Sequence, residues 1–395
     1  MRTYGRVELG EFMVSRGGSI DPAKFTQEEF VLYSIPAFDE GAPQIVCGSE
    51  IGSTKQLVQA GDVLLSKIVP HIRRSWIVES DFKRRLIASG EWMLFRSDRF
   101  WAPYLRHLLV SDRFHSQFMN TVAGVGGSLL RARPSFVAKI DVPLPSLDEQ
   151  RKIAEALDQA DALRAKQREA VGLLDELTQS IFLEMFGDPL VNPNRWPTHQ
   201  LATFFAIKPN YGTMTPASKE KKEYLCLRVA NIQDWKIDFN NTKYVDLDAK
   251  SVARYTVSDG DLLMARAIAS QEHLGKAIIA RPGANKWAFD SHLMRIRLNE
   301  SLLLPEFLQA FLRSNGGRRI FLKASRRSAV QFNINAKEMS ALEIPAPPLA
   351  YQQEFAMRLR EVEVVRTLHQ SRAEGVDELF KSLQQRAFRG ELWED

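Results

Sequence analysis

Few residues of this chain stand at spacings that could support covalent chemistry. Gly275-Lys276 offers the basic end of a phosphate-binding loop. Such a loop also needs a glycine five residues earlier and a hydroxyl next, and Ser270 and Ala277 stand there instead. Gly124-Val125-Gly126-Gly127 is glycine-rich but does not lie between a clear strand and a helix, so a plain loop is expected. Asn192-Pro193-Asn194-Arg195 imitates the loop with which adenine methyltransferases hold a target amine, yet its composition is that of a turn in a linker. Asp81-Phe82-Lys83 could be half of a nuclease site, a short pattern that a highly charged chain produces by chance. His107 and His115 lack metal-ligand spacing, and Cys47 and Cys226 stand alone and read as reduced, structural cysteines. No catalytic residue and no metal ligand is assigned, and the chain is expected not to be an enzyme by itself.

Residues suited to binding are more plentiful. Lys67 and Arg266 each follow an apolar run opened by Gly-Asp, and Arg73-Arg74 lies soon after the first. Arg131 and Arg133 sit in GGSLLRARPS, while GGRRIFLKASRRSAVQFNIN carries Arg318, Arg319, Arg326, Arg327, Gln331 and Asn333. Lysine and arginine neutralise phosphates, and arginine, glutamine and asparagine also make paired hydrogen bonds to guanine or adenine edges. Any one of these residues could equally be part of a solvated basic surface. Aligned residue for residue, Arg131 and Arg133 fall opposite Gln331 and Asn333, which would suit equivalent loops reading different sequences.

That alignment is possible because the chain repeats itself. PLPSLDEQRKIA, from Pro143, returns as PAPPLAYQQEFA from Pro345; GDVLL at Gly61 returns as GDLLM at Gly260; WMLFR at Trp92 is matched by LMRIR at Leu293. The sequence therefore predicts a tandem duplication: a globular block at 1–142, a helical block at 143–189, a second globular block at 190–344 and a second helical block at 345–395. Short strands with one or two helices make each globular block α+β. Charge follows the same division. Blocks 1–142 and 190–344 are net +3 and +9, whereas 143–189 and 345–395 are net −5 and −2. Basic globular blocks point to a polyanion, acidic helical ones to something else.

Ser146 and Glu149 form a capping-box signature that starts the first helix. An apolar stripe then runs Ile153, Leu157, Ala160, Leu163, Ala170, Leu174, Leu177, Ile181, and the second block gives Phe355, Leu359, Val362, Val365, Val376, Leu379, Leu383. Spacings of four and three mark a coiled-coil seam, so the two helices are expected to pack on each other, antiparallel, and to separate the globular blocks. As one helix, 149–186 would extend about 57 Å. The 395 residues are 45% hydrophobic and 26% charged, as in a soluble two-domain protein. With no membrane-length apolar run and no apolar leader at the N-terminus, a cytoplasmic location is expected.

The P-x-P-x-L-x-x-Q entry to each helix, the GDLLMAR strand, the run RRSAVQFNINAKEMSALEIPAPPL and the join FGDPLVNPNRWPTHQL together resemble the specificity subunit of type I restriction–modification systems over nearly the full chain. Tyr351 standing where the first copy has Glu149, and the absent capping serine, are the departures. The resemblance implies two target recognition domains, each reading half of a split, asymmetric site in double-stranded DNA, with the helices setting the spacing. It implies two methyltransferase subunits as partners, restriction subunits where present, and a nucleoid-associated chain. S-adenosylmethionine, ATP and Mg are then expected on the partners, and no cofactor on this chain. The alternatives are a self-contained nuclease or methyltransferase, or a scaffold with two protein-binding domains.

Overall fold

The computed structural model describes residues 4–14, 17–81, 83–124, 130–233, 235–327 and 332–392. The chain forms two compact units, Met1–Arg168 with Ser371–Asp395, and Glu169–Gln370. Each unit thus combines one globular block with halves of two helices, Leu147–Phe186 (40 residues) and Leu349–Arg389 (41 residues). In the first unit the start of the first long helix lies against the end of the second: Arg164 reaches Asp377 at 2.6 Å and Ile153 and Leu157 share a core with Phe388. In the second unit the order is reversed, with Phe182 and Phe186 against Phe355. The helices therefore pack antiparallel, and the protein is α+β, a tandem duplication of two globular blocks carried on a helical pair.

The same frame is built twice. In the first unit Val63–Ser66 runs antiparallel between Ser75–Ile77 and Trp92–Phe95, and Gly5–Glu8 pairs with Asp141–Leu144. In the second, Leu262–Ala265 lies between Ala277–Ile279 and Leu293–Leu298, and Thr198–Gln200 pairs with Glu343–Pro345. A second sheet in each unit contains a parallel pair, Glu29–Tyr33 with Arg85–Ala88 and Tyr224–Leu227 with Trp287–Phe289. The turns Gly61-Asp62 and Gly260-Asp261 place a left-handed glycine ahead of a buried aspartate. Asp62 takes a two-pronged ion pair from Arg96 at 2.6 and 2.7 Å, and Asp261 the same from Arg297 at 2.6 and 2.7 Å.

The proline-rich motif that announces each helix has a physical reason. Gln150 is wholly buried; its carbonyl oxygen accepts from the Trp101 N–H at 2.7 Å and its amide donates to the carbonyls of Arg99 and Pro145. Gln352 does likewise, accepting from the Leu304 N–H at 2.8 Å and donating to Leu302 and Pro347. One side chain satisfies the open N-terminus of a neighbouring helix (Ala102–Leu109, or Pro305–Arg313) and ties the long helix to it. In the join after the first long helix, Asn192 and Arg195 adopt left-handed φ of 47° and 54°, and Asn192 bonds Trp196 in both directions. That stretch is a turn.

The helical seam drifts by one residue from the predicted stripe. Ile153, Leu157 and Phe355 are buried, and Leu174, Ile181, Leu359, Val362, Val376 and Leu383 are half-buried. Leu163, Leu177, Val365 and Leu379 are 41–50% exposed. The neighbours Arg164, Thr178, Arg366 and Phe380 turn inward instead. A straight helix has 3.6 residues per turn, so no stripe read at 3.5 stays centred on the buried face, and at these four positions the following residue takes its place. Mid-helix, arginines pair with carboxylates across the seam, Arg164 with Asp377 and Arg366 with Asp175.

Candidate nucleic-acid interface

The predicted binding residues divide by what their side chains already hold. Arg74 is buried and grips Asp39 through two hydrogen bonds, and Arg73 bonds Asp112 and the Val110 carbonyl. Arg318 donates to the carbonyls of Leu274, Gln271 and Glu272, fixing that loop, and burial lowers its affinity for the proton. Arg319 is exposed on the helix Asn315–Ala324, and Arg326 is exposed while pairing with Glu338. Arg327 pairs by its backbone with Phe332, its side chain lying outside the described residues, as does all of Gln331.

The remaining residues converge. In the first unit Lys67 is bound to the strand Arg131–Ala132: the Ala132 N–H donates to the Lys67 carbonyl at 2.8 Å, and Ile68 bridges Arg131. The Lys67 ammonium donates to the Gly90 carbonyl, and the Arg131 guanidinium lies over the neighbouring Glu91, at 3.1 and 3.4 Å. Arg133 stacks on Phe136, 3.8 Å from the ring centre. Val69, a β-branched residue, is held at φ 46° beside this strand, a conformation that costs on the order of 1–3 kcal/mol.

In the second unit the Ile334 N–H donates to the Arg266 carbonyl at 2.9 Å, and Ala267 pairs with Asn333. Arg266 lies over Tyr211 at 4.0 Å and donates to the Ser291 carbonyl, next to His292, which is exposed and 3.5 Å from Asp290. Burial holds the Asp290 carboxyl above the usual range, and the adjacent Cys226 thiol is pushed up to about 12 by burial, so it is inert as a nucleophile.

These hydrogen bonds correct the alignment of the two loops. Ala132 and Ile334 make the same bond, and Arg133 and Asn335 each precede a short helix. Arg131 therefore corresponds to Asn333, and Arg133 to Asn335. The residue-by-residue alignment placed Gln331 and Asn333 there because it ignored an insertion of two. Glu91 and His292, each one residue before a paired strand, were absent from the candidates. The match of WMLFR with LMRIR would have placed them opposite each other.

Among the described residues no group of three or more His, Cys, Asp or Glu could hold a metal, and no helix is long and apolar enough to cross a membrane. What stands out is a duplicated α+β frame on a helical pair, with basic and amide side chains gathered on equivalent loops. Residues 193–376 match the type I restriction modification DNA specificity domain. The chain is 26% identical over 314 residues to the StySPI specificity subunit of Salmonella potsdam, covering 75% of this chain and 67% of that one. It is 23% identical over 308 residues to the EcoKI specificity subunit of Escherichia coli K12, covering 74% and 66%. It thus spans about two thirds of the length of these relatives. The same fold is seen in a chain solved in work on assembly and conformational transition of the type I R-M system (TM-score 0.59, 20% identity, 98% of each chain covered). The type I S subunit from M. genitalium shares it as well (TM-score 0.55, 10% identity, 98% and 96% covered). Residues 193–376 thus carry a type I restriction modification DNA specificity domain, and over about three quarters of its length the chain is similar to type I restriction enzyme specificity subunits.

Proposed function

We propose that this chain gives a type I restriction–modification complex its DNA sequence specificity, each unit reading one half of a bipartite, asymmetric site in double-stranded DNA. The observation that carries this is the repeated frame with differing side chains on its equivalent loops: Lys67, Glu91 and Arg131 against Arg266, His292 and Asn333. An identical frame presents each loop in the same way, and different donors and acceptors then select different base edges. The long helices set the gap between half-sites and recruit two methyltransferase subunits, with restriction subunits joining where they exist. S-adenosylmethionine is held by the methyltransferase subunits, and ATP and Mg by the restriction subunits. The target adenine leaves the duplex in the partner's site, since a stacked base is out of reach.

Mapping N6-methyladenine in cells with and without the gene tests this. One motif of two short half-sites and a fixed gap should vanish with the gene. Unchanged methylation in cells whose methyltransferase subunit is active and co-purifies with the chain would refute the reading. DNA binding that ignores salt would favour a protein scaffold, because phosphate contacts make affinity fall steeply with salt.

A further inference from the structure

Position for position, the residue just before the strand Trp92–Phe95 or Leu293–Leu298 and the strand Arg131–Ala132 or Phe332–Asn333 flank the same frame residue, Lys67 or Arg266, in each unit. In the first unit the flanking residues are Glu91 and Arg131, in contact at 3.1 Å with Arg131 55% exposed. In the second they are His292, exposed, and Asn333, which lies in the strand paired to Ala267 directly after Arg266. We infer that Glu91 with Arg131, and His292 with Asn333, are the counterpart base-reading pairs that make the two half-sites differ. This rests on the proposed function and names the residues that carry its specificity.

Three features set these positions apart from the rest of the basic surface. First, the fold does not consume them. Arg74 is itself buried against Asp39, Arg96 and Arg297 hold buried carboxylates and Arg318 holds loop carbonyls, whereas the Glu91–Arg131 pair is solvent-facing and can open at little cost. Second, the backbone beneath them makes the same bond in both units. The Lys67 and Arg266 carbonyls each accept one bond from the crossing strand, and Val69 is held in a strained conformation alongside. Third, their chemistry differs in a way that discriminates bases. A guanidinium donates a fork to guanine O6 and N7, and a carboxylate accepts from the cytosine amino group, so Glu91 and Arg131 together suit a G·C pair. An asparagine amide suits adenine, donating to N7 and accepting from the amino group. In the free protein Glu91 also neutralises Arg131, which weakens sequence-independent attachment to phosphates at that loop.

The test exchanges the pairs in the full chain, co-expressed with its methyltransferase subunit, and reads the N6-methyladenine motif. Glu91→His with Arg131→Asn should change one base pair of one half-site, lowering the preference for G·C there about tenfold or more. The gap and the other half should stay as they were. His292→Glu with Asn333→Arg should change only the other half. Full methylation with both half-sites unchanged would overturn the inference. If a double variant lost methylation altogether, Arg131→Lys decides, because it keeps the charge and removes the fork. Relaxed discrimination at a single base pair supports the pairing, and an unchanged motif overturns it. A wild-type complex lacking any bipartite motif would instead overturn the proposed function itself, so the two failures are distinct.

Discussion

The two units share a strand frame and its buried polar bonds and differ at their joints and exposed loops. Gln150 and Gln352 cap the same helix start, and Asp62–Arg96 and Asp261–Arg297 close the same turn. Where the globular part meets the long helices the chemistry diverges. The second unit uses a phenylalanine cluster, Phe182, Phe186, Phe307 and Phe355, with ring centres 5.0–5.8 Å apart. The first places Tyr104 on Phe388 and, beside them, a buried His107 that shares Asp158 with Arg106 at 2.7 and 2.8 Å. A buried polar group leaves few workable replacements, because losing its partner costs the full desolvation of what remains. An apolar joint or an exposed loop accepts many. The frame is therefore constant while joints and exposed loops are free to specialise.

The largest effect should come from the joints. Phe186→Ala and Phe388→Ala each open a core and should cost about 3–5 kcal/mol in denaturant unfolding, with Phe186 at the upper end because three rings surround it. Next, Gln150→Ala and Gln352→Ala should each cost about 1–3 kcal/mol by leaving a helix-end N–H and two carbonyls unbonded. Equal losses would support the equivalence of the two frames, and a loss in only one would break it.

Acid should separate the units. His107 is held below the ordinary histidine value of 6.5, first by burial and then by Arg106, against the pull of Asp158. The unfolded chain therefore binds this proton more readily, and the stability it contributes, present above that value, is lost as pH falls below it. Asp377, held low by Arg164 and Arg168, adds a second loss in the first unit as pH falls further, through its folded value. Asp290 acts in the opposite sense in the second unit: burial raises it, so its protonated form is favoured and its contribution is lost with rising pH. Hydrogen exchange at pH 5 should thus show the first unit opening before the second, and His107→Leu should shrink the difference. The smallest effect belongs to Asp377→Asn, which removes a half-exposed ion pair worth about 1 kcal/mol or less.

Much of this frame was legible in the sequence because the duplication made each feature count twice. The Gly-Asp turns, the proline-rich entries and the strand pair WMLFR and LMRIR match as text because each contributes to a buried polar bond made in both units. The seam was legible in outline but missed at Leu163, Leu177, Val365 and Leu379, where the next residue faces inward, since a 3.5-residue reading does not stay centred on a 3.6-residue helix. The interface was read least well. Arg74 and Arg318 carry the same charge as Arg131, and only the fold reveals that the first two hold Asp39 and a loop. Glu91 is not legible in the sequence because its pairing with Arg131, 40 residues away, exists only in the fold.

The most direct test of two equivalent frames with independent readers is to replace residues 190–344 with a second copy of 1–142 and map the methylated motif. Equivalence predicts a symmetric site, the first half-site repeated in inverted orientation about a gap. Retention of the original asymmetric motif, or methylation with no defined motif, would contradict it.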